Sequence, residues 1–127
     1  MIRVAFTSND GNHVDEHFGK AQSIAIWQVA PDTAEEVATV AADAETDDVE
    51  DKILRRAAAV TGCAIVYTTV IGGPAAAKLV ARRIHPMKAP AGTPIESLVA
   101  RLQSVLRGRP PPWLRKAMDS TAWTRDS

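Results

Sequence analysis

The sequence predicts one α/β domain with a mixed sheet of about five strands flanked by helices. Three observations predict it. Three apolar segments of strand length, 2–7, 23–30 and 35–42, come first. A nearly continuous apolar run, AIVYTTVI at 64–71, lies between two helical patterns, which suits a strand buried on both faces. A strongly patterned helix then follows a short extended segment near residue 84. At 127 residues the chain fits one domain, and an apolar fraction of 46% allows a sizeable core. Aromatic residues make up only 5%, so that core should be mostly aliphatic.

The first strand, IRVAFT, is β-branched and aromatic and ends in polar turn residues. SIAIWQVA at 23–30 is the second, Pro31-Asp32-Thr33 a turn, and EEVATVAA at 35–42 a third strand paired with it as a hairpin. Asp47 or Asp48 caps a helix reaching about Thr61, with Ile53, Leu54, Ala57 and Val60 at helical spacing and Gly62 closing it. Strand 64–71 leads through Gly72-Gly73-Pro74 into a helix, AAAKLVARRI. Pro86 keeps IHPMK extended. Thr93 reads as an N-cap, Pro94 as the first helical residue and Glu96 as the partner in a capping box. Ile95, Leu98, Val99, Leu102, Val105 and Leu106 mark the apolar face, and Gly108 ends that helix. RPPPWLRK cannot continue it, so the proline run is expected to be extended and residues 117–127 a flexible C-terminal tail. The first three strands can form an antiparallel meander. Strand 64–71 and the strand near 84 are joined by a helix, so they should be parallel, with a right-handed crossover.

Charge gives no case for nucleic acid, since 15 acids balance 15 bases. The acids crowd residues 32–51, and bases dominate from Lys78 onward. This fits either two solvated faces or a basic region that meets an anion or an acidic partner. Cys63 is the single cysteine, so no intrachain disulfide can form. With no apolar run of signal-peptide or membrane-span length, the expectation is a cytoplasmic protein.

Residues 8–19, SNDGNHVDEHFG, hold the densest set of ligand-type side chains in a stretch that does not read as regular structure. His13 and His17 would share a face on a helical turn, but the spacing between them lacks the zinc-protease HExxH pattern. The bland reading is a tight turn with exposed imidazoles. Gly72-Gly73 sits where a strand's carboxyl end meets a helix N-terminus, a common place for anions; it is neither a P-loop nor a dinucleotide fingerprint. Cys63 is more simply a small core residue than a ligand. His85 lies in a loop with Met87 and Lys88, where it can also cap the preceding helix. Trp113 ends the proline run, ready to pack on the domain or meet a partner.

Together SNDGNHVDEHFG, CAIVYTTVIGGPAAAKLV, and IHPMK followed by GTPIESLVARLQ resemble the dinitrogenase iron–molybdenum cofactor biosynthesis family. PPPWLRK at 110–116 brings the chain nearest to the NifX branch, and the resemblance covers about residues 1–116. It implies a ribonuclease-H-like domain. It also implies a non-enzymatic carrier that binds the iron–sulfur precursor of the nitrogenase cofactor, or the finished iron–molybdenum cofactor, and passes it between assembly proteins. The expected partners are a cluster-synthesising donor and a scaffold acceptor, with the carrier a monomer or weak homodimer. The histidine of the DEHFG-like segment, implicated in cluster binding in related carriers, is His17 here. His13, Cys63, His85, Gly72 and Gly73 are further candidates for cofactor contact, and Lys20, Arg83 and Lys88 for charge compensation. Asp15 and Glu16 are expected to orient the His17 ring. Two rivals stand beside this: a two-metal phosphodiesterase using Asp10, Asp15 and Glu16, and an interaction module built on PPPWLRK that carries no cluster.

Overall fold

The computed structural model describes residues 1–41 and 49–124. The elements in chain order are β1 (Ile2–Thr7), β2 (His13–Val14), β3 (Ser23–Val29), β4 (Ala34–Ala41), α1 (Val49–Ala59), β5 (Ile65–Thr68), α2 (Gly73–Ala81), β6 (His85–Lys88), β7 (Thr93–Pro94), α3 (Ile95–Arg107) and α4 (Pro112–Thr124). Five strands form one mixed sheet in the order β4-β3-β1-β5-β6. β1, β3 and β4 make the expected antiparallel meander, and β5 and β6 run parallel to β1. The proposed caps Asp47 and Asp48 lie outside the described residues.

Alternation along the strands divides the core into two layers. Ile2, Val4 and Phe6 of β1 and Ile65 and Tyr67 of β5 face α3 and α4, meeting Leu98, Leu102, Leu106 and Leu114. Ala5 and Val66 face the other way, toward Ala57, Ala75 and Leu79 of α1 and α2. Three of the few aromatic residues meet at one point. Phe6 stacks on Tyr67 with centroids 5.5 Å apart and meets Trp27 edge-on at 6.4 Å.

The structure differs from five local expectations. β5 is shorter than 64–71, because after Thr68 the backbone turns to bond with the 16–18 loop. Thr93 does not cap α3. Its backbone pairs with Val14 in the small β2–β7 sheet, its hydroxyl donates to the Pro90 carbonyl, and Pro94 takes the cap position. The same small sheet puts His13 and Val14 in a strand, within a segment expected to be irregular throughout. The proline run does not stay extended, because Pro112 begins a new helix. A first-turn proline lacks only a donor that has no helical acceptor there. α4 continues to Thr124, through residues expected to form the tail.

The end of α2 carries a local cost. Arg83 N–H donates to the Val80 carbonyl and Ile84 N–H to the Leu79 carbonyl, at 2.9 Å each. This Schellman closure places Arg83 at φ 62°, a position usually taken by glycine. A side chain there costs about 1 kcal/mol.

Docking of α4 rests on Leu114, 1% exposed among β-sheet and α3 side chains. Leu114→Ala should lower unfolding stability by about 2–3 kcal/mol in urea titration. A loss below about 0.5 kcal/mol, the size of an ordinary surface change, would mean that α4 does not dock.

Candidate functional site

At the carboxyl end of β1 and β5, two adjacent threonines are fully buried, Thr7 and Thr68. Buried hydroxyls need partners, and they find one in the loop that follows β1. Thr7 Oγ1 donates to the Glu16 carbonyl at 2.8 Å, and Thr68 Oγ1 lies 3.2 Å from the same oxygen and 3.0 Å from Thr7 Oγ1. Thr69 N–H also points at that carbonyl, at 3.3 Å, and Phe18 N–H donates to the Val70 carbonyl at 2.9 Å. Phe18 then inserts its ring into the α1–α2 side of the core, 1% exposed. His17, between these two anchors, is exposed. The sequence Glu-His-Phe thus delivers one imidazole to solvent from a backbone fixed on both sides.

The loop supports itself with carboxylates. Asp10 accepts from the N–H groups of Asn12 and His13 at 2.7 and 2.8 Å, and its other oxygen lies 2.8 Å from His13 Nδ1. The Asn12 N–H first, then the His13 ring and N–H, hold the Asp10 carboxyl well below its ordinary range. Asp15 accepts from Asn9 N–H at 3.0 Å, and Glu16 Oε1 from His17 N–H at 2.9 Å. Asp15 and Glu16 were expected to orient the His17 ring; Asp15 instead accepts from the Asn9 N–H, and Glu16 accepts from the His17 N–H and, through Oε2, from the Asn9 side-chain amide at 3.4 Å. Asp10, which was not foreseen as a histidine partner, orients His13. All three carboxylates of the nuclease-type reading are thus engaged within the loop. Among the described residues, no three His, Cys, Asp or Glu side chains gather to hold a metal ion.

Gly72 and Gly73 stand at the same end, two residues beyond the Val70 carbonyl that Phe18 bonds. Gly72 is the N-cap of α2 at φ −74° and ψ 157°, with no side chain capping the helix. A Cβ on Gly73 would meet nothing within 4 Å, and one on Gly72 only Pro74 Cδ at 3.9 Å. Neither glycine is required by backbone conformation or internal packing, so the turn is open to solvent. The first N–H groups of α2 have no helical acceptor. Lys20, whose N–H donates to the His17 carbonyl at 3.0 Å, and Lys88, paired in register with Thr68, belong to this end and are exposed.

The remaining candidates lie elsewhere. Cys63 precedes β5 and His85 begins β6, so both sit at the amino end of the parallel strands, together with Arg83. Cys63 is buried, and burial raises its thiol to about 11, with Arg3 pulling weakly the other way. A protonated, buried thiol is a poor metal ligand. His85 stacks on Trp113 with ring centroids 4.0 Å apart.

Beneath the His17 loop lies a residue that periodicity did not single out. Arg56 of α1 is 6% exposed, and its Nη2 donates to the Ala21 carbonyl at 3.2 Å. Ala21 N–H in turn donates to the His17 carbonyl at 3.0 Å. Among the described residues, Arg56 Nε and Nη1 have no hydrogen-bond partner. Its only sequence signal is a base on the buried side of an amphipathic helix.

Fold and site define a small mixed α/β domain that displays one exposed imidazole, His17, from a loop at the same end as an open glycine turn. The family model described as dinitrogenase iron-molybdenum cofactor matches residues 1–105, and the chain belongs to that family. Protein NifX of Herbaspirillum seropedicae is 41% identical over 119 residues, covering 92% of this chain and 82% of that protein. Protein NifX of Azotobacter vinelandii is 37% identical over 122 residues, covering 95% and 77%. Protein NifY of Azotobacter vinelandii is 37% identical over 117 residues, covering 92% of this chain but 48% of its own length. Among solved structures, the apo form of the orange protein from Desulfovibrio gigas superposes with a TM-score of 0.66 at 22% identity, covering 84% of this chain and 90% of that one. That likeness shows the fold. No helix among the described residues is long and apolar enough to cross a membrane.

Two outcomes follow. The lowered Asp10 carboxyl stabilises the turn above the ordinary value of 3.8, and that contribution is lost only as pH falls through the lower value. The amide shifts of Asn12 and His13 should therefore titrate well below 3.8 in wild type and not at all in Asp10→Asn; a wild-type midpoint at 3.8 would contradict this. Cys63 should resist alkylation at neutral pH in the folded protein and react promptly in denaturant. Rapid native modification would show an exposed, ionised thiol.

Proposed function

We propose that this chain is a non-enzymatic carrier in biosynthesis of the nitrogenase iron–molybdenum cofactor. Its cargo is the iron–sulfur precursor or the finished cofactor, held transiently on residues 1–116 and passed from a cluster-synthesising donor to a scaffold acceptor. The observation that carries this reading is the presentation of His17, exposed between two backbone anchors at the open Gly72–Gly73 turn. An imidazole nitrogen is a competent ligand for iron, and sulfide surfaces accept hydrogen bonds from backbone N–H groups. His17 supplies the bond to iron. The N–H groups of the turn and the ammonium groups of Lys20 and Lys88 face the anionic cargo. His13, tied to Asp10, shapes the loop. One protein ligand gives affinity without permanence, which a carrier needs and a four-cysteine site would not provide.

The fold supports the same reading. Counting only the strands of the large sheet, their order is 3-2-1-4-5 with the second antiparallel, which we read as ribonuclease-H-like. The lone free cysteine suits a reducing cytoplasm, and we take the carrier to be a monomer or weak homodimer.

Anaerobic gel filtration with isolated cofactor precursor tests the proposal. Wild type should co-elute with iron, and His17→Ala should retain at least about tenfold less, a loss of about 1.4 kcal/mol in binding. Equal iron on both proteins would remove His17 from the site. Iron on neither would overturn the carrier reading.

A further inference from the structure

The carrier reading leaves Arg83, His85 and the proline-led segment without a task, and the fold brings these together. At the amino end of the parallel strands, between the end of α2 and the start of α4, lies a cavity of about 690 Å³. That is within the usual size for a small-molecule site, roughly 300–1,000 Å³. Arg3, Arg82, Arg83, His85, Trp113 and Lys116 line it, and among the described residues no aspartate or glutamate does. Among the described residues, none of its three arginines or Lys116 is held in an ion pair. Four cations with no ion pair among the described residues, gathered around one concavity, favour a focused positive potential. Guanidinium forks suit carboxylate and phosphate oxygens.

Two features show that this arrangement is built into the fold. Arg83 occupies the left-handed position at φ 62° that closes α2, where glycine would be easier, so a charged side chain is carried there at a conformational cost. The ring of His85 stacks on Trp113 at 4.0 Å and 17°, fixing an aromatic wall that is still 38% exposed. The wall would contact a flat or apolar body while the arginines take its charged groups.

We propose that this cavity binds a small organic anion carrying two or more phosphate or carboxylate groups, at a site separate from the one around His17. This inference does not depend on the carrier reading, because none of its residues belongs to the His17 end.

Isothermal titration of the full chain at low ionic strength, with adenosine triphosphate and with citrate as separate probes, tests it. At least one probe should bind with a dissociation constant on the order of 100 μM or tighter. Arg83→Gly and Arg3→Gln should each weaken it by about tenfold or more. His17→Ala should bind as wild type does. Arg83→Gly should keep or raise the thermal midpoint, since glycine fits that turn, so lost binding could not be blamed on misfolding. Response to the nucleotide alone, reduced in Trp113→Ala, would identify a phosphate ligand with a stacked base; response to citrate alone would identify a polycarboxylate. No heat with either probe, or binding that both arginine variants leave intact, would overturn the proposal. Binding of a polyglutamate peptide but neither small anion would overturn it too, in favour of an acidic protein segment.

Discussion

Thr7 and Thr68 end neighbouring parallel strands, and both hydroxyls turn toward one carbonyl, that of Glu16. Each hydroxyl has a single proton, so the two share the acceptors within reach, and Thr69 N–H joins them. Leaving such buried groups unmade would cost about 1–3 kcal/mol apiece. The sheet therefore dictates where the loop after β1 must sit. Everything at that end follows: Glu16 is tethered, Phe18 is driven into the core two residues further on, and the residue between them has nowhere to point but outward. The register Glu-His-Phe makes that residue a histidine. A deletion of one residue between Thr7 and Phe18 would disturb the anchor as much as the imidazole.

The same constraint explains what the sequence could and could not reveal. The meander, the doubly buried strand and the α3 stripe were legible because each is written in local periodicity, and burial rewards the local pattern with tertiary contact. The end of β5 was not, because YTTVI continues to read as strand while Thr69 and Val70 are claimed by residues some fifty positions earlier. Thr93 failed as a cap for a like reason: its extended backbone serves Val14, a partner invisible to a window of a few residues. Pro112 misled because a proline that breaks one helix is also well suited to begin the next. The two-residue pairing of β2 with β7 is too short to leave a pattern at all.

Among the candidate residues, the division between two ends was partly recoverable. Cys63 precedes and Gly72 follows the same strand, and a four-residue strand spans on the order of 13 Å. Parallel pairing then places His85 with Cys63 and Lys88 with the glycine turn. One list of candidates thus becomes two chemically distinct ends. The carboxyl end offers imidazole, backbone N–H groups and flexible ammonium ions, which suit a soft, sulfur-rich cargo held by few bonds. The amino end offers guanidinium forks and an aromatic wall, which suit hard oxygen anions.

Arg56 bears on why the His17 end is built as it is. A guanidinium that is 6% exposed, with one bond to a carbonyl and two nitrogens unpartnered among the described residues, costs the fold several kcal/mol relative to an apolar side chain of similar volume. Its one bond holds Ala21, which in turn bonds the His17 carbonyl, so the charge lies directly beneath the loop. Two nearby cations, Lys20 and Lys88, are exposed and screened by solvent, and their field at the loop falls off with salt. A buried charge is not screened in that way. It adds a positive contribution beneath a loop that also carries the Asp10, Asp15 and Glu16 carboxylates, and it places no side chain of its own at the surface. Exposed imidazole, open glycine turn and buried cation are then parts of one arrangement, and on the carrier reading proposed above attraction would come partly from beneath the loop while few bonds would need to break at its surface.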